Sequence, residues 1–239
     1  MRIRLIASLG EVFRAEEFED RTAIVFDTLR ATSNMAVALA GGAQEIVPAQ
    51  SPEEAAALSR PGDLRGGERG GYPIPGFELG NSPGEYEPPR VTGKRIVMST
   101  TNGTRAVHAA ARANRLLTAC LLNARACAEA GAAEGRDIVV LCSGTRGTFC
   151  LEDGLAAGAV LAELGGFQPY EPDEGGRAME ALYRSRAGQL EEALLASDSG
   201  VRLARRGHEA DVRYCSRLNL LRTVPCLTPE GTLVAWTAS

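Results

Sequence analysis

Three short loops in this 239-residue chain combine hydroxyl side chains with arginine directly behind an apolar run. The first is Asp27-Thr28-Leu29-Arg30-Ala31-Thr32-Ser33, behind Ala23-Ile24-Val25-Phe26. The second is Thr100-Thr101-Asn102-Gly103-Thr104-Arg105, behind Ile96-Val97-Met98-Ser99. The third is Ser143-Gly144-Thr145-Arg146-Gly147-Thr148, behind Ile138-Val139-Val140-Leu141-Cys142. Each reads as a strand that ends in a loop and opens a helix. Such a loop offers backbone N–H groups, hydroxyls and a guanidinium at the positive end of a helix, where an anion such as phosphate is stabilised. Turn and capping chemistry explains Gly, Ser and Thr there. It does not call for arginine, whose charge opposes the helix dipole unless an anion lies between. Arg30, Thr32, Thr101, Asn102, Gly103, Thr104, Arg105, Ser143, Gly144 and Arg146 are therefore the candidate substrate-binding residues, converging at one sheet edge.

Carboxylates stand beside these loops. Asp27 ends the first apolar run, Glu68 precedes Arg69 in a glycine-rich stretch, and Glu152 and Asp153 follow the third loop. A hard cation such as Mg²⁺ takes one or two carboxylates and completes its shell with water and substrate phosphate. Asp27, Glu68, Glu152 and Asp153 are the candidate metal ligands. A carboxylate at a strand end rarely serves packing, which singles out Asp27. Glu152 and Asp153 are equally well explained as acids in a first helical turn. Glu78 and Glu85 read as surface residues.

Widespread phosphate motifs are missing. No Walker loop and no G-x-G-x-x-G occurs. A Cys-x5-Arg loop starting at Cys142 would need arginine where Thr148 stands, and an Asp-x-Asp pair starting at Asp27 meets Leu29. Cys142 therefore reads as structural. His108 and His208, the two histidines, read as packing or surface residues. Weight shifts from histidine to metal-activated water or a carboxylate nucleophile.

The elements that must position these groups alternate between strand and helix. Strands are expected over 1–9, 45–48 and 116–120. Helices are expected around 35–39, stopped by Gly41-Gly42, then over 106–113 and over 155–164, stopped by Gly165-Gly166. A helix pair over 177–195 and a helix with a closing strand within 211–227 complete the pattern. This order predicts an α/β fold, a three-layer αβα arrangement around a largely parallel or mixed sheet, as a single domain over 1–239. Residues 62–90 are too rich in Gly and Pro for helix or strand. They read as an ordered active-site loop anchored by Tyr72, Ile74, Phe77 and Leu79.

The net charge of −4 and the absence of a long basic stretch argue against nucleic acid and membrane surfaces as partners. Arg202, Arg205 and Arg206 cluster, but Glu209 and Asp211 follow, so the group reads as a solvated helix face. No apolar run approaches the ~20 residues of a membrane span, and the first residues lack the pattern of a signal peptide. Six cysteines without C-x-x-C or zinc spacing suit reduced thiols in the cytoplasm. A homodimer is left open.

Five segments together resemble one family. They are Asp27-Thr28-Leu29-Arg30-Ala31-Thr32-Ser33, Gly67-Glu68-Arg69-Gly70, Gly76-Phe77-Glu78-Leu79-Gly80-Asn81-Ser82-Pro83, Thr100-Thr101-Asn102-Gly103-Thr104-Arg105-Ala106 and Gly147-Thr148-Phe149-Cys150-Leu151-Glu152-Asp153. In this order the chain is similar to the 2-phosphosulfolactate phosphatases. The resemblance implies a Mg²⁺-dependent hydrolase that converts (2R)-2-phospho-3-sulfolactate to 3-sulfolactate and phosphate, a step of coenzyme M biosynthesis. It implies that a small anionic phosphorylated substrate is the partner. Asp27, Arg30, Glu68 and Arg69 are then the catalytic set, and Asn81 joins the substrate-binding residues. Arg30, Arg69, Arg105 and Arg146 match a substrate carrying phosphate, sulfonate and carboxylate. One departure stands out: Asn219 occupies the place after the cysteine-containing helix where an acid is expected.

Overall fold

The runs 22–26 and 138–142 are rich in β-branched and apolar residues and buried along their whole length. That is the pattern of central strands in a sheet covered on both faces. A computed structural model describes residues 1–11 and 13–237. Its elements run β1 (Arg2–Ile6), β2 (Thr22–Phe26), α1 (Ala31–Ala40), β3 (Glu45–Ala49), α2 (Pro52–Leu58), β4 (Leu64–Arg69), β5 (Tyr72–Pro73), β6 (Arg95–Ser99), α3 (Gly103–Ala109) and β7 (Arg115–Ala119). The chain continues with α4 (Ala124–Ala133), β8 (Ile138–Cys142), α5 (Leu151–Leu164), β9 (Glu171–Pro172), α6 (Glu174–Arg186), α7 (Leu190–Ala196), α8 (Asp198–Arg205), α9 (Glu209–Cys215), β10 (Pro225–Leu227) and β11 (Leu233–Ala235).

The strands form one mixed sheet in the order β5-β4-β6-β3-β11-β10-β7-β2-β8-β1-β9. Two parallel blocks, β9-β1-β8-β2-β7 and β3-β6-β4, are joined by the antiparallel hairpin β10–β11. Three antiparallel pairings separate the blocks, so they run in opposite senses along the sheet. The short helix α3 nevertheless packs on both β2 and β3. Those strands lie four steps apart, or about 19 Å in a flat sheet, which is wider than one helix. The sheet must therefore curl around α1 and α3. A single core cluster accordingly holds Val25 and Val139 from one block, Ile46 and Met98 from the other, and Met35 and Val107 between them. Opposite faces are covered by α4, α5 and α7 on the first block and by α2 on the second. The α/β layered arrangement with helices on both faces is thus present, and its sheet is mixed.

One expectation needs correction. The segment over 62–90 is not strand-free: β4 pairs in parallel with β6, and Tyr72–Pro73 pairs back on β4. The glycines that disguise this strand serve close approach. A Cβ on Gly67 would lie 1.9 Å from the Ser99 carbonyl oxygen, and the residue has φ +128°. The remainder is an ordered loop. Tyr86 is fully buried, and its hydroxyl donates to the Gly80 carbonyl at 2.7 Å. Of the expected anchors, Ile74 and Leu79 are buried while Tyr72 is exposed.

The most extensive helix–helix contact lies between α5 and α6. A Cβ on Gly158 would fall 2.0 Å from the Met179 carbonyl oxygen. Gly158→Ala should therefore destabilise despite alanine's better helix propensity. The expected outcome in a thermal melt is a Tm lower by roughly 3–8 °C. An unchanged Tm would mean that α6 can move away at no cost.

Candidate active site

Each loop is held by bonds that its own sequence provides. After β2, the Asp27 N–H donates to Thr32 Oγ1 at 3.0 Å, and the Ala31 N–H donates to Asp27 Oδ1 at 3.2 Å. After β6, Thr100 and Thr104 exchange bonds, each backbone N–H donating to the other's hydroxyl at 3.2 and 3.0 Å. Gly103 opens α3 against Asp27: a Cβ there would lie 2.8 Å from Asp27 Oδ2.

Two carboxylates then tie loop to loop. Asp153, in the first turn of α5, accepts from the Thr28 N–H at 2.8 Å and from the Ser143 hydroxyl and Gly144 N–H at 3.1 Å each. It joins the β2 and β8 loops. Glu68, on β4, accepts from the Thr101 N–H at 2.6 Å and the Thr101 hydroxyl at 3.0 Å, joining the β4 and β6 ends. Several loop N–H groups expected to face an anion are therefore already served by the protein's own carboxylates. The guanidinium groups that line the cavity are the cationic donors an anion there could meet.

These loops enclose a cavity of about 370 Å³. Asp27, Glu68, Glu152 and Asp153 all line it, as do Arg30, Asn81, Thr101, Asn102, Arg105, Ser143, Gly144 and Arg146. Thr32, Gly103 and Thr104 stand behind its wall and shape the loops. Arg69 is turned away: its guanidinium donates to the Gln50 carbonyl at 2.6 Å and to Ser99 Oγ at 2.8 Å. Glu68 and Arg69 are neighbours on a strand, so their side chains leave on opposite faces.

The site also contains residues that the sequence reading missed. Arg30 is buried and ion-paired with Asp211 of α9, whose other oxygen accepts from the Ser82 hydroxyl at 2.6 Å. The reading of Arg202 and Arg206 as only a solvated face is corrected: Ser199, Arg202 and Leu203 of α8 line the cavity, as does Arg206, the exposed residue that caps its C-terminal end. Their spacing of three, one and three residues is one helix face, and that periodicity was the available signal. Asn219 lies elsewhere, donating to Glu163 at 2.7 Å and accepting from the Arg125 N–H at 2.7 Å. His108 packs with Nε2 2.9 Å from the Pro48 carbonyl, and Cys142 is buried at the end of β8.

The electrostatics divide the four carboxylates. Burial pushes the Asp27 carboxyl up to about 8, and the neighbouring Asp153, Glu68 and Glu152 add to the rise against the opposing Ala31 N–H. Glu152 is raised in the same direction, by burial and then by Asp153, with the Ser199 and Ser197 hydroxyls opposing. Its Oε2 atom is buried without a hydrogen-bond partner. Asp153 and Glu68 are engaged in holding the loops, whereas Asp27 and Glu152 retain uncommitted oxygens. Among the described residues no three carboxylate, thiol or imidazole groups converge tightly enough to hold an ion unaided. An all-oxygen donor set of this kind fits Mg²⁺, which binds through one or two carboxylates plus water and phosphate oxygens.

Comparison with known proteins places the chain in a family. The sequence profile described as 2-phosphosulpholactate phosphatase matches residues 9–230. A protein of Symbiobacterium thermophilum named "Probable 2-phosphosulfolactate phosphatase" is 42% identical over 225 residues, covering 92% of this chain and 96% of its own. Proteins with the same name from Carboxydothermus hydrogenoformans and Deinococcus radiodurans are each 41% identical. They cover 87% of this chain, and 86% and 88% of their own lengths. These matches make the chain a phosphatase, a phosphoric monoester hydrolase. The chain belongs to the 2-phosphosulfolactate phosphatase family.

A raised carboxyl pKa links stability to pH. The folded protein holds the Asp27 proton more tightly than the unfolded chain, so stability is lost as pH rises from about 4 through about 8. Asn mimics the protonated acid and removes this loss. Asp27→Asn is expected to raise the Tm of metal-free protein by at least about 3 °C at pH 8.5, with the gain vanishing near pH 4. Melts across that range in chelator check it, and a gain that grows toward acid pH would contradict the assignment.

Proposed function

We propose that this chain hydrolyses (2R)-2-phospho-3-sulfolactate to 3-sulfolactate and phosphate in the cytoplasm, with Mg²⁺ as cofactor. The observation that carries this reading is the pairing of two buried carboxylates, Asp27 and Glu152, having uncommitted oxygens, with arginines from separate loops in one cavity. An anion binder without a metal would gain nothing from acids placed beside its arginines. The free state of all six cysteines suits a reducing compartment.

Asp27 and Glu152 would hold the ion. When bound, Mg²⁺ neutralises charge on the phosphoryl oxygens and polarises the ester. Arg105, in the first turn of α3, and Arg146, in the β8 loop, orient the non-bridging oxygens through charge-assisted hydrogen bonds. Phosphoryl transfer depends mainly on such positioning and charge stabilisation. Asp27 orients the attacking water. Water attacks phosphorus and releases a proton, the bond from phosphorus to the ester oxygen breaks, and the departing alkoxide takes up that proton through the solvent of the open cavity. Gly103 keeps the wall beside Asp27 free of side-chain bulk, and Asp153 fixes the two loops that flank it.

Turnover of phosphosulfolactate is expected to vanish in EDTA and return with Mg²⁺. Asp27→Asn is expected to lower kcat by roughly 10³-fold with the fold intact. Absence of any metal-dependent phosphate release would falsify the assignment. The nucleophile is tested by the stereochemical course at an isotopically chiral phosphorus. Direct attack by water gives net inversion, and net retention would make Asp27 a covalent nucleophile instead.

A further inference from the structure

The cavity arginines are not equivalent. Arg30 is neutralised by Asp211, and Arg69 faces away from the cavity. Arg105 and Arg146 belong to the loops around Asp27. Arg202, on α8, and Arg206, the residue that caps the C-terminal end of α8, come from a different wall, and both line the cavity. Among the described residues neither forms an ion pair. Arg202 donates to Ser199 Oγ at 2.9 Å. Arg206 donates to the Gly70 and Gly71 carbonyls at 3.2 and 3.1 Å and stacks over Tyr72, 4.3 Å from the ring centroid. Both side chains are thus oriented by neutral partners while their charges remain uncompensated. The buried Leu203 lies between them on the same wall.

We propose that α8 carries the subsite for the substrate's sulfonate, with Arg202 and Arg206 as its ligands. This rests on the phosphatase reading above. The reacting phosphate has to sit beside Asp27, where Arg105 and Arg146 serve it. The substrate's other tetrahedral anion keeps its charge throughout the reaction and needs no metal. It needs guanidinium donors fixed on a separate element, and α8 supplies them. Arg206 also anchors the turn that follows Glu68, so the same helix that reads the sulfonate closes one side of the cavity.

The test compares three esters on the Mg²⁺-loaded enzyme: phosphosulfolactate, 2-phospholactate, which lacks the sulfonate, and 2-phosphonooxyethanesulfonate, which lacks the carboxylate. Wild type is expected to prefer phosphosulfolactate over 2-phospholactate in kcat/KM. Arg202→Met is expected to cut that preference by roughly 10- to 100-fold, through KM. Arg202→Lys should recover part of it, and Arg202→Met/Arg206→Met should lose more. Equal losses on all three esters, or loss of the preference over the carboxylate-free ester instead, would overturn the subsite. Calorimetry with 3-sulfolactate and lactate reads α8 without turnover: wild type should bind sulfolactate more tightly, and Arg202→Met should erase the difference. A difference that survives in Arg202→Met overturns the proposal. No turnover of any ester by wild type overturns the phosphatase reading and leaves the binding comparison to judge α8.

Discussion

The cavity depends on one buried charge. Asp153 is fully enclosed and accepts three hydrogen bonds, from the loops after β2 and β8. A buried carboxylate is costly unless such donors meet it, and meeting it fixes the donors in turn. Glu68 does the same for the ends of β4 and β6. These two clamps matter because the sheet alone would not hold the loops together. Its parallel blocks run in opposite senses and are joined through a hairpin of two three-residue strands, each pairing outward at one residue position. The curl around α1 and α3 brings the strand ends to one cavity, and the carboxylates fix them there.

That arrangement has an electrostatic consequence. Loop N–H groups that could have bound phosphate are occupied by Asp153 and Glu68, so on the reading proposed above substrate binding falls to guanidinium groups. The same two acids also press on Asp27, whose proton they help retain. On the reading proposed above, a cation held by Asp27 and Glu152 would offset this crowding of acids, so the site would trade stability for the ability to bind it. The uncommitted oxygen of Glu152 belongs to the same economy of charge.

The parts legible in the sequence are those written in contiguous residues. A strand, a hydroxyl-rich loop and a helix start occupy about a dozen residues, so the three anion loops, Asp27 and the alternating α/β pattern could be read directly. β4 could not, because its glycines hide a strand whose backbone must approach Ser99. Nor could the contrast between Glu68 and Arg69, which depends on the strand's pleat rather than on residue type. The partnership of Arg30 with Asp211 spans 181 positions, and no local pattern announces it. The α8 wall was legible in principle. Its periodicity was outweighed by the acids that follow it, which lie on α9 and face other partners.

Arg30 illustrates why composition alone overstates an anion pocket. It follows its strand by the same few residues as Arg105 and Arg146, yet it ends beneath the surface, neutralised and joined through Asp211 to Ser82. Its contribution is to fasten α9 and the 74–90 loop to the start of α1. What distinguishes Arg105, Arg146, Arg202 and Arg206 is that they line the cavity and, among the described residues, form no ion pair. On the reading proposed above, the arginines around Asp27 would serve the phosphate and those of the α8 wall would read what else the substrate carries.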